Sequence, residues 1–189
     1  MLGATQLPVL EVNGPQRFTA SEELLDAAEK ALGVTLPGSY REFAKRYGFG
    51  EVGGMFTVHV PVPAGAQPGC AGLVGLSREI AGELVEDMDR QTLDLRPDGT
   101  PELVRRLVPF GTSSNGDVMA WDPAAASGSG GELWIYLVSP RSGGVWRAAP
   151  NMAVFLAKAR EPGLGGMMDR MRTELPATFV PRPFSLMAG

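Results

Sequence analysis

A chain of 189 residues, 44% hydrophobic and 20% charged, has the composition of a soluble globular protein and is long enough for one domain to bury roughly 70% of its unfolded surface. Its one cysteine, Cys70, excludes an intramolecular disulfide, and with one histidine, His59, beside it a zinc site built from those ligands is not expected. The net charge of −4 argues against direct nucleic-acid binding, which needs clustered positive charge to displace counterions from phosphates.

No stretch approaches the roughly 20 uninterrupted apolar residues that span a bilayer. The N-terminus MLGATQLPVLEVNG lacks the basic region and apolar run of a secretory leader. The expectation is a cytoplasmic chain with no membrane span. Its charge is unevenly spread: residues 79–102 carry eight acids (Glu79, Glu83, Glu86, Asp87, Asp89, Asp94, Asp98, Glu102) against two bases, Arg90 and Arg96. From residue 141 onward seven bases face three acids.

In chain order, Thr19-Ala20-Ser21-Glu22 reads as a capping box with Thr19 as the cap. Leu24, Leu25, Ala28, Ala31 and Leu32 then recur at helical spacing, and Gly33 supplies a left-handed stop. After Pro37 a second helix carries Tyr40, Phe43, Ala44 and Tyr47 on one face and ends at Gly48. From Met55 the period becomes two, with Phe56, Val58 and Val60 on one face and Met55, Thr57 and His59 on the other, until Pro61 and Pro63 stop the ladder. A loop to Gly72, a short strand at Leu73 to Leu76 and a third helix capped by Ser77 follow, the helix bearing Ile80, Leu84, Val85 and Met88 opposite most of the acidic cluster.

Leu107 to Phe110 and Val118 to Trp121 read as a hairpin closed by the Asn115-Gly116 turn. Ala124 to Gly131 has linker composition. Leu133 to Val138 is apolar at nearly every position, which predicts a central strand covered on both faces. Asn151 caps a last core helix with Met152, Phe155, Leu156 and Ala159 on one stripe. Beyond Leu164 one more helical stretch is expected before Pro176, Pro181 and Pro183 make the tail extended.

The run Leu36-Pro37-Gly38-Ser39-Tyr40-Arg41-Glu42-Phe43-Ala44-Lys45-Arg46-Tyr47-Gly48, preceded by Glu29-Lys30-Ala31-Leu32-Gly33, resembles the opening signature of the SMI1/KNR4 (SUKH) family. Val108-Pro109-Phe110-Gly111, then Gly116-Asp117 and Trp121-Asp122, is similar to the family's second block, and the strand Leu133 to Val138 followed by a helix with Phe155-Leu156 matches a third. The likeness covers about residues 19 to 160. It departs from the family pattern at Gly48-Phe49-Gly50, where Asn-Gly-Gly is common, and in the segment after residue 163. The resemblance implies an α+β fold with helices packed on a mostly antiparallel twisted sheet. It sets out a lead segment at 1–18, a domain at 19–162 and a C-terminal extension at 163–189. Bacterial members of the family commonly act as immunity proteins, so it further implies a non-enzymatic domain that binds a protein partner, a cognate toxin domain.

The residues themselves carry little catalytic machinery. A nucleophilic triad needs a base against the nucleophile, and His59 reads as a sheet histidine while Cys70 sits in a Pro/Gly loop without a partner. Asp117 and Asp122 lie five apart on a strand and point to opposite faces, which favours turn-ordering over a shared acid/base site. Ser127-Gly128-Ser129-Gly130-Gly131 lacks the Gly-Lys-Ser/Thr and following helix of a phosphate loop. No cofactor is expected. The candidate partner-binding residues are Phe49, Glu51, Glu83, Asp87, Asp117, Trp121 and Asp122, with Trp146 a further aromatic candidate. Alternatives are a regulatory or scaffolding interaction module, as eukaryotic relatives imply, and a small hydrolase using Asp117 or Asp122. Homodimerisation through an edge strand or the tail stays open.

Overall fold

The computed structural model describes residues 6–15, 18–63, 72–128, 130–140, 143–162, 164 and 174–183. Cys70 and the helical stretch expected after Leu164 lie outside them. The elements are β1 (Glu11–Val12), α1 (Glu22–Leu32), α2 (Gly38–Arg46), β2 (Gly50–Val52), β3 (Phe56–Val58), α3 (Leu73–Asp89), α4 (Pro101–Arg106), β4 (Val108–Ser113), β5 (Val118–Ala126), β6 (Leu133–Val138), β7 (Val145–Ala149), α5 (Met152–Lys158) and β8 (Thr178–Pro181). The strands form one sheet in the order β1-β8-β2-β3-β4-β5-β6-β7. It is antiparallel except where β1 meets β8. This is the α+β architecture expected from the sequence.

Strand alternation sends successive side chains into two different cores. On one face Met119, Trp121, Ile135 and Leu137 join Tyr40, Phe43, Met152, Phe155 and Leu156 of α2 and α5. On the other, Val118, Ala120, Tyr136, Val138 and Val145 pack on Leu76, Ile80, Leu84, Met88, Leu103 and Val104 of α3 and α4. The first core is largely aromatic: Phe110 stacks on Trp121 at 4.2 Å, and Tyr40 meets Trp121 edge-on at 4.7 Å.

Several local expectations change. The cap of α1 is Ser21, whose hydroxyl accepts from Leu24 N–H, rather than Thr19. Leu73 to Leu76 is the first turn of α3, not a strand, and Ser77 is buried within the helix. A four-residue apolar run fits either period, and Leu73, Leu76, Ile80, Leu84 and Met88 together form the helical stripe that decides it. The linker-like stretch after Pro123 continues β5 as far as Ala126. β6 is covered on both faces at Ile135 to Val138 but is second from an edge rather than central, because β7 follows it.

The segments before residue 19 and after residue 163 contribute to the same sheet. β8 inserts between β1 and β2, and Leu7, Leu10 and Phe179 are buried in the aromatic core. At the Gly48-Phe49-Gly50 departure the backbone is approached closely from two sides, by the lead segment and by β8. Gly48 has φ +79°, and a Cβ there would collide with the Phe18 carbonyl. At Gly50 a Cβ would strike the Phe179 ring and the Val180 carbonyl of β8.

Candidate functional site

Of the residues singled out for partner binding, three are enclosed by the fold. Trp121 is 1% exposed and fills the aromatic core, so it offers no area to a partner. Asp117 is buried where the ends of β4, β5 and β6 meet: the Ser113 and Ser139 hydroxyls each donate to one of its carboxylate oxygens at 2.5 Å, and its own N–H donates to Ser113 Oγ. Asp122, also buried, receives Arg106 Nε and Nη2 at 2.6 and 2.8 Å and the Ala124 N–H at 3.0 Å. Burial pushes the Asp122 pKa up, but the Arg106 hydrogen bonds, the Ala124 N–H and the Arg106 charge outweigh it and hold the carboxyl below its ordinary value. A buried acid survives only when its lone pairs are satisfied, and these two are satisfied by different structural partners. The two carboxylates thus belong to separate hydrogen-bond sets, Asp117 with Ser113 and Ser139 and Asp122 with Arg106 and Ala124, rather than to one acid/base pair.

Phe49 and Glu51 sit at the start of β2 and are half-buried. The Phe49 ring lies 5.1 Å from that of His59, and its carbonyl accepts the Arg182 N–H. Glu51 accepts from Arg182 Nη2 at 2.7 Å. His59, expected opposite the apolar face as an exposed or hydrogen-bonded sheet histidine, lies just past β3 and is buried; its N–H donates to the Phe110 carbonyl and its own carbonyl accepts the Tyr40 hydroxyl at 2.7 Å. Burial pushes the Tyr40 phenol well above its ordinary pKa. Trp146 is half-buried against the aromatic core.

The remaining candidates lie on α3. Its buried stripe leaves Glu79, Glu83 and Glu86 exposed on the opposite side. Glu86 pairs with Arg90 at 2.9 Å, and Asp89 with Arg105 at 3.3 Å. Asp87 is half-buried, and its backbone and side-chain oxygens receive the Thr92 hydroxyl. Beyond α3, Asp94 is held down at about 2 by hydrogen bonds from the Arg96 side chain and backbone. Glu79 and Glu83, one turn apart, make no ion pair among the described residues. Among the described residues the outer side of α3 therefore presents Glu79 and Glu83 without ion-pair partners, on a helix anchored to the sheet.

Residue-type reasoning passed over other surface features. Arg147 of β7 lies over the Trp134 ring at 4.6 Å, a pairing that depends on strand register. Val9 and Val12, in the lead segment, are the exposed large hydrophobics among the described residues. The sequence signal for them is the apolar residues Val9, Leu10 and Val12 around Glu11.

Among the described residues no three His, Cys, Asp or Glu side chains are grouped to hold a metal ion. No described helix is long and apolar enough to cross a membrane. No curated protein matches the sequence. The profile of the SMI1 / KNR4 family (SUKH-1) matches residues 19–158, from the approach to α1 to the end of α5. With that match spanning most of the chain and the α+β fold in agreement, the protein belongs to the SMI1/KNR4 (SUKH-1) family of protein-interaction domains.

Proposed function

We propose that this domain is an immunity protein that binds and neutralises a bacterial toxin, and that the outer face of α3 is the surface that meets it. The observation that carries the surface assignment is the exposed pair Glu79 and Glu83, acidic and without ion-pair partners among the described residues. A toxin that grips phosphates, as a nuclease does, must be basic at its working surface. An inhibitor presenting unspent negative charge gains association rate and selectivity from the complementary field. Family membership supports the class of function, a protein-interaction domain of immunity type.

The test is co-expression with toxin domains encoded beside this chain, scored by co-purification and growth rescue. Rescue by the wild type that weakens for Glu79→Lys with Glu83→Lys is the expected result. Absence of binding and rescue across those toxins overturns the immunity reading. Rescue indifferent to both substitutions overturns the surface assignment alone.

A further inference from the structure

The sheet ends differently on its two sides. At β7 the chain occupies its own edge. Val145 N–H donates to the Arg96 carbonyl at 3.0 Å and Asp98 N–H to the Val145 carbonyl at 2.9 Å. Arg147 N–H donates to the Asp98 carboxylate at 2.9 Å. A side chain and a crossing segment thus block strand addition there, a recurrent way of protecting an edge.

At the other end β1 bonds β8 through Glu11 N–H, to the Ala177 carbonyl, and Asn13 N–H, to the Phe179 carbonyl, both at 2.8 Å. Amides of alternate residues in a strand turn to opposite sides. Val12, between those two, therefore directs its N–H and C=O away from β8. Its side chain ends a cross-strand row, Phe56, Val52, Phe179, Val12, in which the first three are at most 4% exposed and Val12 is 45% exposed. Val9, close by, is 74% exposed. Among the described residues an apolar row belonging to the core thus runs off an open edge, with unpaired backbone groups of Val12 in line with it.

We propose that this edge is a self-association surface, on which β1 of a second copy adds antiparallel across a two-fold axis passing at Val12. The register is self-complementary. Val12 and Val12 of the second copy form the hydrogen-bonded pair and exchange both N–H···O bonds, while Glu11 stands opposite Asn13 of the second copy, so no like charges oppose each other. The valine row then continues from one copy into the next. Pairing is short, because the Leu10 N–H is taken by the Tyr47 hydroxyl and Gly14, at φ +119°, leaves the strand conformation. A contact this small gives a weak, concentration-dependent dimer, with dissociation on the order of 100 µM.

Sedimentation equilibrium of the full chain from about 10 µM to 1 mM reads the association, and a mean mass rising toward twice the monomer is expected. Val12→Pro removes the outward N–H but neither amide that bonds β8, so it is expected to stay monomeric with its thermal midpoint within about 2–4 °C of the wild type. Should that variant misfold, Val12→Cys in a Cys70→Ser background decides. In a hydrogen-bonded antiparallel pair the Cα atoms stand about 5.5 Å apart, within disulfide reach, so mild oxidation links the two copies at position 12. Glu11→Cys in the same background is expected to link far more slowly. A wild type that remains monomeric at about 1 mM, or a dimer that Val12→Pro leaves intact and Val12→Cys fails to cross-link, overturns the proposal.

Discussion

Helices α1 and α3 both present acids to the outside, yet their charges have different fates. On α1, Glu22, Asp26 and Glu29 are all bound by Arg41 of α2, at 2.5, 2.7 and 2.9 Å, and Lys45 takes Glu22 at 2.6 Å. Glu29 also accepts the Leu36 N–H at 2.8 Å, closing the link between the two helices. The short connection after Gly33 brings a basic helix back alongside an acidic one. On α3, among the described residues, the bases meet acids only at or beyond its C-terminal end, Arg90 on Glu86, Arg105 on Asp89, Arg96 on Asp94 and Arg106 on the buried Asp122, while Arg78 donates to the Ala31 carbonyl. The middle of α3 keeps its charge. A count of acids along the chain does not separate these cases, because compensation depends on which helix lies alongside.

The comparison is broken most severely at the buried end of this charge network. Asp122→Ala strands Arg106 and the Ala124 N–H and is expected to cost on the order of 2–4 kcal/mol, read by urea denaturation at pH 7. Because the folded pKa of Asp122 is depressed, its contribution is present above the ordinary carboxylate value of about 4 and is lost as pH falls through the lower folded value. The stability gap between wild type and Asp122→Asn should therefore narrow between pH 7 and pH 3. A gap that widens on acidification would contradict the assignment.

Tyr40→Phe, in the aromatic layer, removes the hydroxyl that donates to the buried His59 carbonyl and is expected to cost about 1–2 kcal/mol with the fold retained. Arg41→Ala removes the cation shared by three carboxylates of α1, leaving Lys45 on Glu22 and the Leu36 N–H on Glu29, and should lower the thermal midpoint by about 2–4 °C, less at high salt since the cluster is partly exposed. The smallest effect on stability sharpens the comparison from the other side. Glu79→Lys with Glu83→Lys should leave the midpoint within about 1–2 °C, since no folded partner is lost. The same change should slow association with the proposed toxin partner more than dissociation, measured by stopped-flow against ionic strength. These two positions make a cleaner pair than Glu83 with Asp87, because Asp87 also receives the Thr92 hydroxyl at the end of α3.

Much of this fold was legible because its signals are local. The α2 stripe of Tyr40, Phe43 and Ala44, the left-handed stop at Gly33, the Asn115-Gly116 hairpin and the Asn151 cap all stand where spacing and turn chemistry place them. α4 carried an unread signal, Thr100 before Pro101, whose hydroxyl caps the helix by accepting from Leu103 N–H. The candidate interaction residues fared less well for a physical reason. An Asp or a Trp after a turn has the same local signature whether it faces a partner or the core, and only the register of β5 against β6 and the reach of Arg106 turned Trp121 and Asp122 inward.

The sequence alone determined an α+β chain without an internal disulfide, its helical stripes, its main hairpin and its likeness to the SMI1/KNR4 family, because each depends on periodicity, turn residues or ordered motifs. The tertiary structure decided what lies between elements distant in sequence. β8 enters the sheet beside β2 because Gly50 lets the Phe179 ring and the Val180 carbonyl approach. Arg41 ties down Glu22, Asp26 and Glu29 of α1, while Glu79 and Glu83 of α3 make no ion pair among the described residues. One edge of the sheet is closed by Asp98, and the other is left open at Val12. Those outcomes rest on contacts across tens of residues, where the chain's own path rather than its local preferences sets which groups meet.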